Sequence, residues 1–324
     1  MRYFLLTLFL PVFIQCTAQN PSILLKKELI SDVSNTPIYK RLTTVKDGNT
    51  VWKDEYQYMD SIQMYSITYL SDGLKVNGFL VEPKVDGKHP AIIFNRGGNR
   101  EFGALTIGHA AIFMGQLAKE GYVVIASQYR GNAGGEGMEE FGGADVNDIL
   151  ILPDVLAEIE TVDTSKIGMY GWSRGGMMTY IALSQTDKIK AAAVGGAVSD
   201  CFKSLEDRPQ FESGVYADLI PDYYKNKEVE LSKRSAVKWA DRFKKDVPIL
   251  MLHGNADWRV KPEQSLSLAM EFEKERVPYR LIIFEGGDHG LSEHKSEVNA
   301  QVLSWFDRYL KHGEAAPDME YHGK

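Results

Sequence analysis

Cysteine is almost missing from this chain: Cys16 and Cys201 are the only two in 324 residues. Cys16 lies in an N-terminal leader, so a processed chain keeps one cysteine. That excludes an intramolecular disulfide and leaves stability to a hydrophobic core. A long apolar run is missing as well. The stretch from Phe4 to Ile14 is interrupted by Pro11 and falls short of the ~20 residues a membrane-spanning helix needs. No dense Lys/Arg stripe occurs and the formal net charge is −7, so neither nucleic acid nor an anionic membrane is expected as a partner. No propeller-type repeat of about 40 to 50 residues is present. No metal or organic cofactor is expected.

What is present begins with an export signal over residues 1–18. Arg2 supplies the positive start, an apolar segment follows, and Cys16-Thr17-Ala18 offers a small-x-small cleavage site. This predicts a secreted or periplasmic protein starting at Gln19. The alternative is a lipoprotein acylated on Cys16, against which Gln15 is bulkier than the residue such sites carry. Residues 19–62 are polar and mixed in charge. They read as an N-terminal extension, with a short helix over Ile23–Ser31.

From residue 63 to 324 one α/β domain is expected. Tyr65–Tyr69 and Lys75–Val81 alternate in polarity around the turn Ser71-Asp72-Gly73, which predicts an antiparallel hairpin. Ala91–Phe94, Tyr122–Ala126, Ile167–Tyr170, Ile189–Val194, Val247–Leu252 and Tyr279–Phe284 are continuous apolar runs, as in strands buried on both faces. Helical patterns separate them, including Thr106–Lys119, Asp145–Ile159 (restarted by Pro153), Arg174–Gln185 and Ser292–Lys311. The fold class is therefore α/β: a mostly parallel, doubly covered sheet, opened by a hairpin and carrying a helical insertion after the sixth strand. That insertion, 199–245, is rich in aromatic residues and reads as a lid over the site, with Tyr223 and Tyr224 as substrate-binding residues.

The chain is organised around Lys166-Ile-Gly-Met-Tyr-Gly-Trp-Ser-Arg-Gly-Gly176. A strand stops at a tight turn and passes straight into a helix, and the turn reads Gly171-x-Ser173-x-Gly175. Such a turn projects the serine hydroxyl away from the sheet, and its glycines avoid collisions with the adjoining strand and helix. A serine hydroxyl needs a base, and the base needs a carboxylate to orient it. In this type of sheet the acid and the histidine follow later strands. Asp257 stands in the loop after Leu252 and His289 in the loop after Phe284. Asp288 is the weaker acid because sequence neighbours seldom face each other. His253 is expected to hold its own loop, His109 to pack, and His294 and His312 to be solvated. The N–H of Arg174 and that of Gly97, in the loop after Phe94, are the expected oxyanion donors. Arg96 and Arg100 place positive charge near the same mouth, where Arg96 could meet a substrate carboxylate.

These residues resemble the catalytic domain of prolyl oligopeptidase-type (S9) serine peptidases. The resemblance rests on Gly171-Trp172-Ser173-Arg174-Gly175-Gly176, His253-Gly254-x-x-Asp257-x-x-Val260 and Gly287-x-His289-Gly290. Tyr129-Arg130-Gly131, Gly134-Gly135-x-Gly137, Phe141-Gly142-Gly143 and Asp145-x-x-Asp148 extend it, so that it covers roughly residues 65 to 312. It implies an α/β-hydrolase fold, Ser173, Asp257 and His289 as the triad, and cleavage of short peptides. Where several members carry a tyrosine that assists the oxyanion, this chain has Arg96, and neither a β-propeller nor the glutamates that hold a substrate's amino terminus are found. A carboxylesterase acting on small molecules or glycans is therefore the alternative, and a non-catalytic binding protein is the rival from another class. Small peptides or esters are the expected partners.

Overall fold

The computed structural model describes residues 22–323; the leader, with Cys16 and the cleavage site, lies outside them. Among the described residues nine strands form one sheet in the order β1-β4-β5-β7-β6-β8-β9-β10-β11, and β2 (Thr43–Lys46) and β3 (Asn49–Trp52) pair apart from it. β4 (Ile62–Ser71) and β5 (Leu74–Pro83) make the expected hairpin. Asp72 and Gly73 both take positive φ there, as a two-residue turn between twisted strands requires. β6 (His89–Asn95), β7 (Val123–Ser127), β8 (Val162–Trp172), β9 (Ala191–Gly195), β10 (Ile249–Gly254) and β11 (Tyr279–Phe284) are parallel to one another.

Strand residues point alternately to opposite faces, and here both faces are covered. Ala91 and Ile93 of β6 join one core and Ile92 and Phe94 the other; in β10, Ile249 and Met251 divide from Leu250 and Leu252 in the same way. That is why the strands read as unbroken apolar runs rather than alternating ones. The helix Arg174–Leu183 is buried at all ten positions. The sheet covers one side of it and the insertion the other, with Cys201 Sγ 3.8 Å from Met177 Sδ and Tyr180 edge-on to Phe243.

One expectation about the periphery changes. Ile23–Ser31 is not a helix: Leu24–Leu29 is β1, an antiparallel edge strand on β4. Tertiary pairing decides here. The N–H groups of Ile23 and Leu24 donate to Glu158, and Lys27 reaches the buried Glu82 at 2.6 Å. The extension is thus partly a strand of the main sheet. The insertion is a packed helical excursion, with helices Cys201–Asp207 and Tyr223–Lys233. Gln264 receives the N–H of Ser199 and of Asp200, and Arg234 donates to the carbonyls of Phe141 and Glu140.

The helix comes close to the sheet at Gly175, where an added Cβ would stand 1.9 Å from the carbonyl oxygen of Asn95. Both partners are backbone and cannot swing aside, so Gly175→Ala is expected to cost about 3 kcal/mol or more. Urea unfolding measures this, and a loss below about 1 kcal/mol would contradict the packing described.

Candidate active site

Ser173 is the residue at which β8 becomes a helix, and its backbone sits at φ 57, ψ −122. A non-glycine residue in that region costs on the order of 1–3 kcal/mol and persists only where its surroundings over-determine it. They do here: its N–H donates to Gly195 O at 2.8 Å, and its own carbonyl accepts from Gly176 and Met177 at the start of the helix. The side chain is left half-exposed at the carboxyl ends of the parallel strands.

His289 reaches the same place from the loop after β11. Its Nδ1–H donates to Asp257 Oδ2 at 2.7 Å, which leaves Nε2 as a free base. Asp257, in the loop after β10, is itself fixed. Its Oδ1 accepts the N–H groups of Arg259 and Val260 at 2.8 and 3.0 Å, and His253 Nε2 lies 3.4 Å from Oδ2. Burial alone raises the pKa of Asp257, but hydrogen bonds from His253, His289 and Val260 outweigh it and hold the carboxyl far below its ordinary range. The carboxylate thus stays charged wherever the histidine can act. Because its pKa is lower folded than unfolded, it stabilises the fold above about pH 4, and that contribution is lost as pH falls. Asp288 faces away from His289 and caps its own loop, accepting from Gly290 and Ser292. His253 is buried and holds its own loop, donating to Val260 O and bonded to Ser265 Oγ.

Gly97 comes close enough to the serine that a Cβ on it would lie 3.2 Å from Ser173 Cβ. Among the described residues neither its N–H nor that of Arg174 meets an acceptor. Two unpaired donors flanking a serine are what a tetrahedral oxyanion requires.

Behind the serine lies a feature that sequence reading missed. The Arg174 side chain is wholly buried, pairing with Glu139 and, at 2.5 Å, with Asp145, and donating to Gly98 O at 3.0 Å. It stacks on Phe141 and on Tyr129. Burial alone lowers its pKa, yet the carboxylates of Asp145 and Glu139 hold it above the ordinary value. Arg96, expected to meet a substrate carboxylate, is buried at the wall of a neighbouring cavity, and its guanidinium donates to the carbonyls of Gln128, Gly97 and Arg100. It shapes the Gly97 loop. Arg100 pairs with Asp218 of the insertion at 3.0 Å.

Ser173 and His289 line a cavity of about 220 Å3 with Val198, Val260, and Phe211 and Tyr216 of the insertion. Tyr223 and Tyr224 do not line it. Tyr223 is 2% exposed and bonds Glu212 within the insertion, whereas Tyr224 is 70% exposed on its outer face. The path of the segment, not its aromatic content, decides which rings reach the site: Phe211 and Tyr216 flank one helical turn, and Tyr223 and Tyr224 begin the helix Tyr223–Lys233. Trp172 was also missed: its Nε1–H donates to His289 O at 2.8 Å, so the residue before the serine anchors the histidine loop. Its indole fills the space that a Cβ on Gly195 would take.

A sheet of this order, bent into a strained serine elbow and followed by its acid and histidine loops, defines an α/β-hydrolase of the serine type. The model of the Prolyl oligopeptidase family matches residues 111–313, and the chain belongs to that family of serine peptidases. It is similar to the uncharacterized peptidase YtmA of Bacillus subtilis, 31% identical over 75% of this chain and 93% of that protein. It is also similar to dipeptidyl-peptidase 5 of Porphyromonas gingivalis, 27% identical over 69% of this chain but only 34% of that protein. The acylaminoacyl peptidase of Pyrococcus horikoshii superposes with a TM-score of 0.67 over 84% of this chain and 47% of its own, at 24% identity. At that identity the likeness carries the fold alone.

Replacing Arg174 by methionine leaves Glu139 and Asp145 buried without their cation. Such a break is expected to cost about 3–5 kcal/mol, measured by chemical denaturation. A loss under about 1 kcal/mol would show that the network is not what holds the loops together.

Proposed function

We propose that the chain hydrolyses short peptides through an acyl-enzyme on Ser173, with His289 as general base and acid and Asp257 as its orienting carboxylate. The observation that carries this reading is the Nδ1-to-Oδ2 hydrogen bond of 2.7 Å between His289 and Asp257, in a cavity that also holds Ser173. Ser173 Oγ attacks the scissile carbonyl while His289 Nε2 takes its proton. Negative charge develops on the carbonyl oxygen between the N–H groups of Gly97 and Arg174. As the carbon–nitrogen bond breaks, Nε2–H returns the proton to the leaving amine. Water, deprotonated by the same nitrogen, then frees the acid.

The walls of the cavity bear on which peptides fit. No Asp or Glu lines it, while Arg208 and Arg259 do. A free ammonium finds no counter-charge there, whereas a blocked amino terminus brings carbonyl oxygens that suit arginine. N-acylated peptides are thus preferred over those with a free amino terminus. The same machinery supports a second reading as an esterase, favoured by the small volume of this cavity.

Ser173→Ala, His289→Ala and Asp257→Asn are each expected to lower kcat by about 10⁴-fold or more, without adding to one another, whereas Asp288→Asn is near neutral. Parallel turnover of N-acylated peptides, aminoacyl amides and p-nitrophenyl esters, with fluorophosphonate labelling of Ser173, checks both points. Faster turnover of free aminoacyl amides would refute the blocked-terminus preference, and a silent Ser173 would refute the hydrolase reading.

Export belongs to the same proposal, supported by Arg2, the apolar run and Cys16-Thr17-Ala18. Mass spectrometry of the protein from its host is expected to find Gln19 at the N-terminus. A diacylglyceryl group on Cys16 would mean a lipoprotein instead.

A further inference from the structure

A second cavity, of about 730 Å3, opens beside the catalytic one. The two share Trp258, Arg259 and His289, and the larger adds Gly97 and Trp172 but does not reach Ser173. Nothing in the mechanism above uses it. Its wall is apolar, built from Phe94 and Tyr170 at strand ends, Ile112 and Phe113 of the helix over 107–118, and Val298 and Val302 of the helix Lys295–Phe306. Phe113 is 52% exposed although its ring stacks on those of Phe94 and His109. It rides on a π-helical turn, Ala110–Met114, an irregularity often kept at functional sites. The rim is cationic. Arg41 and Lys295 are exposed and form no ion pair among the described residues. The one carboxylate of the lining, Asp288, is occupied by the N–H groups of Gly290 and Ser292.

The shared residues determine which half of a substrate fits. The carbon under attack must touch Ser173, and this cavity does not. The leaving nitrogen must lie against His289, which protonates it, and the cavity is walled by His289 and its loop through Ser292. We propose that the larger cavity is the leaving-group site: it takes an amino acid or short peptide with a bulky apolar side chain beside the cut bond, whose terminal carboxylate meets Lys295 and Arg41. The proposal rests on the hydrolase reading and adds the leaving-group class to it.

Acyl-transfer partitioning tests it separately from that reading. A p-nitrophenyl ester loads Ser173, and the acyl-enzyme divides between water and an added amine. Phenylalaninamide is expected to capture the acyl group about tenfold or more better than glycinamide, and Phe113→Ser to erase that ratio. N-acetyl-Ala-Phe is expected to be cleaved with a higher kcat/KM than its amide, and Lys295→Glu to reverse that order. Each ratio is internal to one variant, so partial loss of folded protein does not move it. Equal capture of the two amines with ester turnover intact overturns the leaving-group site and leaves the hydrolase standing. Absence of both ester turnover and fluorophosphonate labelling overturns the hydrolase reading, and this proposal with it.

Discussion

The ion pairs of Arg174 with Glu139 and Asp145 are the interaction on which the site depends. A guanidinium taken wholly out of water costs several kcal/mol unless its carboxylates and hydrogen bonds are all in place. The pairing therefore fixes more than itself. Asp145 also accepts the N–H of Gly142, and Glu139 accepts that of Arg100. Arg174 in turn holds Gly98 by its carbonyl. One buried charge thereby locks the loop after β7, the loop carrying Gly97 and the first turn of the helix behind Ser173. Tyr129 lies against both Arg174 and Arg96, and its hydroxyl donates to Arg96 O, which closes the arrangement.

Seen this way, the strain at Ser173 has a source of restraint on each side. The sheet clamps it through Gly195, and the Arg174 network clamps the helix that follows. Trp172 adds a third restraint by holding the backbone of His289. Nucleophile, base and oxyanion donors come from three different segments, yet each is tied to residues 172–174 by one or two bonds. Catalytic geometry that must hold within a few tenths of an ångström is kept this way, by over-determination of short segments.

The parts legible in the sequence were those governed by local rules. Unbroken apolar runs located the parallel strands because both faces of the sheet are buried, and the glycines of 171–176 were readable because backbone meets backbone there. Asp257 and His289 were readable because their loops follow strands. Residues governed by distant contacts were not. Leu24–Leu29 has no strand pattern of its own and becomes one by pairing with β4. Arg96 and Arg174 look alike as loop-proximal cations, and only the fold tells that both are buried with their guanidinium groups bonded to neighbouring loops. Composition points to Tyr223 and Tyr224, whereas the packing of the insertion brings Phe211 and Tyr216 to the cavity instead.

The two cavities give the site a polarity that the triad alone lacks. On the acyl side the space is small and the insertion supplies its wall. On the leaving side it is about three times larger, 730 against 220 Å3, and its walls are strand ends and two helices of the core fold. Rings held on strand ends move little, so the larger site is formed before a substrate arrives and binding there loses little side-chain entropy. Hydrophobic contact with the leaving half is made before the bond breaks and released when the product departs, and such binding lowers KM more than it raises kcat. Discrimination in kcat must then come from the acyl side, where the carbonyl meets Gly97 and Arg174 only once it is tetrahedral. The insertion, the least sheet-like part of the chain, therefore sits where small changes in shape alter the rate, while the core fold governs capture.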